Sequence, residues 1–522
     1  MDQGFWYSIP DHLADQARVG RMVRIPLSGR RVRGWIVETA SEREGRLKDL
    51  TAISGDLRVF DSDLLQTLEW ASTHYVAPVS ILLGKASPPN LPKWSGSADL
   101  EPAGTGGASH PLADMVASAV AGQRRPAQAL VGRWQQMDWV GVFGALLGAR
   151  RSALVIAASA AEVDVIAEVA ASAYGEALIE VAGENDAEIT RAWEATQTPG
   201  RMILATPRAA TWHIAGLGLV VVLEEGRRAM KERQTPTLHV RDVIRHRSLL
   251  EGFGAVFFGP TPSVEVLAAG AEVTRIGNRA WPLVEVVDRS MEPPGSGLVS
   301  ESVVAALRAV TAKGERSFVF SYRKMVEPIV SEINARLGSP SAAEHPHERP
   351  ITVGTERDLA GIGGLGLTVA ANVDGMLLGT GYRASEEALR QLARLANALA
   401  SGPGHRMMAQ VMDPSLPLVE TLRKGDPIPY LERVLIERGR SGVPPAIEML
   451  AIEIRDQIPK DADASIRSLP EAEVVGPLEL ENGKRWLVEG KLSKARTELR
   501  RAVGRWREQG ATVRIDADPI DL

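Results

Sequence analysis

The sequence predicts a multidomain α/β protein: a small, β-rich α+β domain at the N-terminus, two tandem α/β lobes, and a small α+β domain at the C-terminus. Three observations lead there. The chain has 522 residues, too many for one core and enough for roughly three or four domains. Through its middle, short runs of branched apolar residues alternate with helical segments, the pattern of right-handed βαβ units on a parallel sheet. The stretch "SGSADLEPAGTGGASHP" mixes small, polar and breaker residues without periodicity, as a linker does, and separates the first domain from the rest.

The elements follow in order. From Phe5 to about Trp94 short strands precede "DSDLLQTLEWASTHYVAP", which has an aspartate cap, apolar positions at helical spacing and a terminating Pro78. The first lobe takes its strands from "SALVIAAS", "RMILAT", "GLVVVLEE" and "GAVFFGPT". The second takes "RSFVFSYRK", "RPITVGT" and "LTVAANVDGMLLG" as strands and "SEEALRQLARLANALA" as an amphipathic helix. Beyond "SGVPP" come "EMLAIEIRD", "KRWLVEGKL", a charged helix "LSKARTELRRAVGRWREQ" and a final strand "ATVRIDADP". The division is therefore 1–94, a linker at 95–111, lobes at 112–292 and 293–416, and a last domain at 417–522. No internal repeat of solenoid length is visible.

Composition excludes several functions. At 44% hydrophobic and 24% charged residues the chain reads as soluble and globular, and no apolar run reaches the roughly 20 residues that cross a bilayer. The N-terminus lacks the basic start and apolar core of a secretory signal, so the expected compartment is the cytoplasm. With no cysteine, disulfides, thiolate metal sites and cysteine nucleophiles are ruled out. The net charge of −5 gives no global attraction to nucleic acid, but the charges are unevenly spread. Between Gln16 and Val37 there is no acidic residue, while Arg18, Arg21, Arg24, Arg30, Arg31 and Arg33 fall on what reads as a β-hairpin. Planar guanidinium forks suit phosphate, so the hairpin is a candidate polyanion surface, with a merely solvated hairpin as the alternative. "EHPHE" at 344–348, and His239 with His246, read as surface or packing histidines rather than metal ligands.

The landmarks, taken in order, resemble the PriA family of bacterial primosomal replication-restart proteins over essentially the whole chain. "FWYSIPDHLADQARVGRMVRIPLSGRRVRGWIVE" is similar to that family's N-terminal domain for a DNA 3′ end. "LGLVVVLEEGRRAMKERQTPTLHVRDVIRHRSLLEG" is similar to its DEEHD strand and the helix that follows. "GPTPSVE", "ITVGTERDLAG" and "NVDGMLLGTGYRASEEALRQL" resemble its later helicase segments, and "ERGRSGVPP" and "VRIDADPIDL" its last domain. The resemblance implies two RecA-like helicase lobes in the middle. It also implies an end-binding pocket in which Phe5 stacks on a terminal base and Tyr7 supports it. Ser28 and Gly29 would stand at the hairpin tip and Lys48 as the pocket lysine, with Arg30, Arg31 and Arg33 on phosphates. Trp6 replaces the family's aspartate, which removes an acceptor for the sugar hydroxyl and adds stacking surface; edge-strand packing is the alternative role for Phe5, Trp6 and Tyr7.

The departures concern chemistry. A phosphate cradle needs glycines, a lysine and a hydroxyl, but at the matching place, "QALVGRWQQMDWVGV", Gly132 leads into Arg133 and Trp134. The magnesium-holding aspartate corresponds to Leu223, and Glu224 and Glu225 remain as relics. The two arginine fingers correspond to Asn397 and Ala400. The family's eight zinc cysteines are absent, and the segment between the first two domains is too short for its winged-helix domain. The resemblance also leads one to expect a further strand ahead of Phe5, which leaves Met1 uncertain as the true start.

The expectation is a replication-restart protein that recognises DNA forks, D-loops and 3′ ends without ATP-driven unwinding, binding neither zinc nor ATP with magnesium and carrying no catalytic residues. Its expected partners are primosome proteins, single-stranded DNA-binding protein and the replicative helicase, with no membrane. Two alternatives stand beside it: a residual ATP-dependent 3′–5′ DNA translocase, and a protein-interaction scaffold that loads the replicative helicase with little DNA affinity of its own.

Overall fold

Two parallel sheets organise the chain, seen in a computed structural model that describes residues 4–27, 29–40, 47–90, 110–293, 295–359, 362–379 and 381–520. Among these residues the first sheet has seven strands, in the order Glu272–Arg275, Gln128–Val131, Gly254–Gly259, Leu217–Leu223, Ser152–Ile156, Met202–Ala205 and Leu178–Val181. All neighbours are parallel. A strand covered on both faces must be apolar along its whole length. Leu217–Leu223, LGLVVVL, meets that demand and lies at the middle of the sheet, with every residue from Gly218 onward buried.

The second sheet has six described parallel strands, ordered Val284–Asp288, Arg406–Val411, Leu367–Ala370, Ser317–Phe320, Ile351–Gly354 and Ala342–Ala343. Val284–Asp288 pairs with Arg406–Val411, so the second lobe begins before residue 284 rather than at 293. The five-residue strand carries no signal of which sheet it will join; only the pairing decides. The helices Pro417–Lys424 and Ile428–Ser441 also differ from the expected division, since Leu418, Leu422, Ile428 and Leu431 enter the core of the second lobe. Amphipathic spacing announces an apolar face but not the core that receives it. Within "LTVAANVDGMLLG" the strand stops at Ala370, and Val373–Leu377 is helical because the Asn372 side chain accepts from the Gly375 N–H at 2.9 Å.

The N-terminal domain contains an antiparallel sheet, ordered Arg30–Trp35, Arg21–Leu27 and Ala52–Arg58, and a parallel pair, Tyr7–Ser8 with Lys48–Asp49. Helix Ser62–His74 follows, capped by the Asp61 carboxylate, which accepts from the Leu64 N–H at 2.9 Å, and packs against helices Val79–Ala86 and Val240–Glu251. The C-terminal domain is an antiparallel sheet, Ala472–Leu480, Gly483–Gly490, Glu448–Asp456 and Ala511–Ala517, packed on helix Ser493–Glu508. One apolar cluster runs from Phe60 and Leu68 through Trp193 and Val222 to Ile452 and Trp506. The outer domains therefore share a core with the first lobe. None of the described helices is long and apolar enough to cross a membrane.

Candidate nucleic-acid interface and interlobe cleft

The hairpin predicted from the arginine run is present. Arg21–Leu27 and Arg30–Trp35 pair antiparallel around a two-residue turn, and Gly29, at φ +78°, takes the left-handed conformation such turns require. A side chain at Gly29 would meet open space. Ser28 lies outside the described residues. Arg30 and Arg31 are exposed and Arg33 is half-buried. Tyr7 and Lys48 stand side by side in the parallel pair, and Lys48 is exposed. The Tyr7 hydroxyl donates to the Pro26 carbonyl at 3.2 Å while its ring packs beside Leu13, Val23 and Leu50. Tyr7 therefore takes the packing role, as a brace between the edge strand and the hairpin. Trp6 is half-buried, and Phe5, 47% exposed, is the aromatic side chain free to stack.

At the C-terminal end of Leu217–Leu223 the residues matched to the helicase segment are enclosed by protein. Leu223 is buried in the core of the first lobe and offers no oxygen to a cation. Glu224 has φ +49°, a conformation costly for a residue with a Cβ. It is held there by the Trp134 indole N–H, which donates to its Oε1 at 2.6 Å, and more weakly by Gln135 at 3.4 Å. Trp134 is itself buried. It stands in the segment matched to a phosphate cradle and covers Glu224 with a ring. Gly132 passes so close to Ile276 that a Cβ would lie 2.7 Å from it, and Arg133 reaches across to donate to the Leu399 carbonyl at 3.2 Å. Glu225 is fully enclosed and accepts from the Ser263 N–H at 2.7 Å. Burial raises its pKa, against the opposing effects of that bond and of Arg241.

Neither residue matched to an arginine finger faces this end of the strand. The Asn397 side chain donates to the Ala280 carbonyl at 3.2 Å, and the Ala400 N–H pairs with Leu365 at 2.9 Å. Two other arginines of the same helix, Ala384–Asn397, point at the first lobe and were missed by motif matching. Arg394 donates to Glu162 at 3.1 Å and to Glu356 at 3.1 Å, with Glu224 at 3.7 Å. Arg227, from the first lobe, donates to Glu162 at 2.7 Å and lies 3.8 Å from Glu356. Arg390 binds Glu386 at 2.8 Å and Glu387, and its guanidinium comes so near Gly226 that a Cβ there would lie 2.9 Å away. The only sequence signal for the pair was the four-residue spacing of Arg390 and Arg394, which puts both on one helix face.

These charges are buried and mutually neutralised. Burial alone would raise the Glu162 carboxyl, but Arg227 and Arg394 outweigh it and hold it below the usual carboxylate range. Burial would likewise lower Arg227, and Glu224 with Glu162 reverse this. A second cluster lies beside the first: Glu265 accepts from Arg241 at 3.1 Å, Arg383 at 2.8 Å and Arg438 at 3.0 Å. Among the described residues no group of three histidines, aspartates or glutamates is arranged to hold a metal. His239 is the N-cap of helix Val240–Glu251, and His246 stacks on Trp70 with centroids 4.1 Å apart.

Comparison with known proteins adds three findings. Residues 1–88 match the 3′DNA-binding domain (3′BD) family of PriA. The ATP-dependent Type ISP restriction-modification enzyme LlaBIII bound to DNA superposes with a TM-score of 0.39 at 10% identity, over 66% of this chain and 30% of that one. The probable replication restart protein PriA of Mycobacterium leprae (strain TN) is 28% identical over 192 residues, which cover 37% of this chain and 28% of that relative. The N-terminal domain match and this last relative support a PriA-type protein.

Proposed function

We propose that the chain is a DNA-binding replication-restart protein that recognises forked or end-bearing DNA and does so without ATP-driven unwinding. The observation that carries the second half is the filled cleft. Phosphoryl transfer needs backbone amides around the phosphates, a metal carboxylate and a finger arginine free to meet developing charge. Here Trp134 covers Glu224, Leu223 replaces the metal ligand, and Arg394 is committed to Glu162 and Glu356. Support for DNA binding comes from the N-terminal match and from Arg24, Arg30, Arg31 and Arg33 of the hairpin, which have no carboxylate partner among the described residues. The relative's name supports a role in replication restart, with primosome proteins as the class of partner.

Fluorescence anisotropy against single strands, duplexes and forks, with and without ATP and magnesium, tests both halves. The expected result is tightest binding to forks, affinity that falls steeply with salt, and no response to nucleotide. Binding too weak to measure at low salt would favour the protein scaffold instead, and nucleotide-dependent release would favour the translocase.

A further inference from the structure

The hairpin has two faces, and its arginines divide between them. In an antiparallel pair, directly opposed residues and those two positions away share a face. The register sets Leu27 opposite Arg30, Ile25 opposite Val32 and Val23 opposite Gly34. This is the face that packs with Leu13 and Tyr7 in the small N-terminal core, so Arg30 belongs to the side of the expected end pocket. On the other face Met22 opposes Trp35, Arg24 opposes Arg33, and Pro26 opposes Arg31. Its inner end is closed: Met22 is buried and the Trp35 indole donates to Ser87 Oγ at 2.9 Å. Its outer end carries Arg24, Arg31 and Arg33 together.

Arg24 and Arg33 are like charges placed directly across the ladder, an arrangement that weakens a sheet unless something anionic lies between them. No carboxylate or carbonyl among the described residues pairs with either, or with Arg31. Their neighbour Arg21, on the same hairpin, does have partners, in the Asp56 carboxylate and the Gly55 and Asp56 carbonyls. Arg21, at the inner end of the hairpin, is thus neutralised, whereas among the described residues the three arginines that this face groups at its outer end have no such partner.

We infer that the face bearing Arg24, Arg31 and Arg33 is a second nucleic-acid seat, taking the phosphodiester backbone of a strand other than the one whose end meets Phe5 and Lys48 on the opposite side. The hairpin then stands between two strands of a junction. This rests on the DNA-binding reading proposed above and goes beyond it by separating backbone contact from end contact. The arginines predicted to act as one unit, Arg30, Arg31 and Arg33, are two sets.

The test is the double substitution Arg24→Ala/Arg33→Ala in the full chain, compared with Phe5→Ala. Anisotropy is read across a salt series on a fork with duplex arms and on a short single strand with a free 3′ end. For the double variant, the log–log salt slope on the fork should fall by about two, from two lost phosphate contacts, while affinity for the short strand stays within about twofold. Phe5→Ala should do the reverse, weakening the short strand about tenfold or more with the fork slope unchanged. Relief of the opposed charges should leave the melting temperature of the free double variant unchanged or higher, which also shows that it folds. A folded double variant with the wild-type slope on forks would overturn the inference, as would equal loss on both substrates. If the wild-type chain binds no DNA at all, the underlying functional reading falls with it.

Discussion

Glu224 is the residue on which the cleft turns. A glutamate in left-handed conformation persists only where its surroundings insist on it, and the Trp134 indole at 2.6 Å is the main insistence. Trp134→Phe keeps most of the ring and removes the donor, leaving a buried carboxylate oxygen with only the 3.4 Å contact from Gln135. The expected cost is about 1–3 kcal/mol, read as a lower urea midpoint at unchanged slope. Glu162 gives a pH signature. Its folded pKa is depressed, so its contribution is fully present above the unfolded value of about 4.3 and is lost as pH falls through the folded one. Urea midpoints should drop from about pH 5 downward, and Glu162→Gln should make that drop shallower. Glu225, whose pKa is raised, works in the opposite sense, so Glu225→Gln should make the drop no shallower.

Among the elements, helix Ala384–Asn397 shows most clearly what sequence could and could not reveal. Its amphipathic pattern announced the helix, and Leu389, Leu392 and Leu395 are buried as the spacing requires, but so are Glu386, Arg390 and Arg394, which it does not announce. The residues matched to arginine fingers, Asn397 and Ala400, bond to backbone, while Arg394 crosses to Glu162 of the first lobe. An arginine's partner is set by tertiary approach, and Glu162 lies 232 positions away in sequence, beyond any local rule. The apolar strands were legible for the opposite reason: burial on both faces writes itself into consecutive residues such as Val220, Val221 and Val222. The hairpin was legible through its arginines and two-residue turn, but its division into two faces needed the register. Truncating Arg394 to alanine leaves the buried Glu162 with Arg227 alone and Glu356 with only the more distant Arg227, for an expected loss of about 1–3 kcal/mol. Combined with Glu162→Ala the losses should add to less than their sum, because the second change removes the Glu162 carboxylate itself.

For the whole molecule, the stretch from Glu224 to Asp242 acts as a hub. Glu232 pairs with Lys85 of the N-terminal domain at 2.6 Å, and the His239 N–H donates to the Tyr75 hydroxyl at 3.1 Å. Lys231 pairs with Asp516 at 2.6 Å and donates to the Ala517 carbonyl at 2.7 Å, tying in the last strand of the C-terminal domain. Arg227 reaches toward Glu356 of the second lobe. This one segment is bonded to every domain. Lys231→Ala should accordingly raise amide hydrogen exchange in strand Ala511–Ala517 while leaving binding through the N-terminal hairpin unchanged; unchanged exchange there would show that the shared apolar core alone fixes the C-terminal domain.

The central proposal, that the chain binds forked DNA without ATP-driven unwinding, is tested most directly by ATP hydrolysis of the full chain with saturating fork DNA and magnesium. The account predicts a rate indistinguishable from the protein-free blank. A DNA-stimulated turnover of about one per second, abolished by Glu224→Ala with Glu225→Ala in a variant that still folds and binds forks, would contradict it.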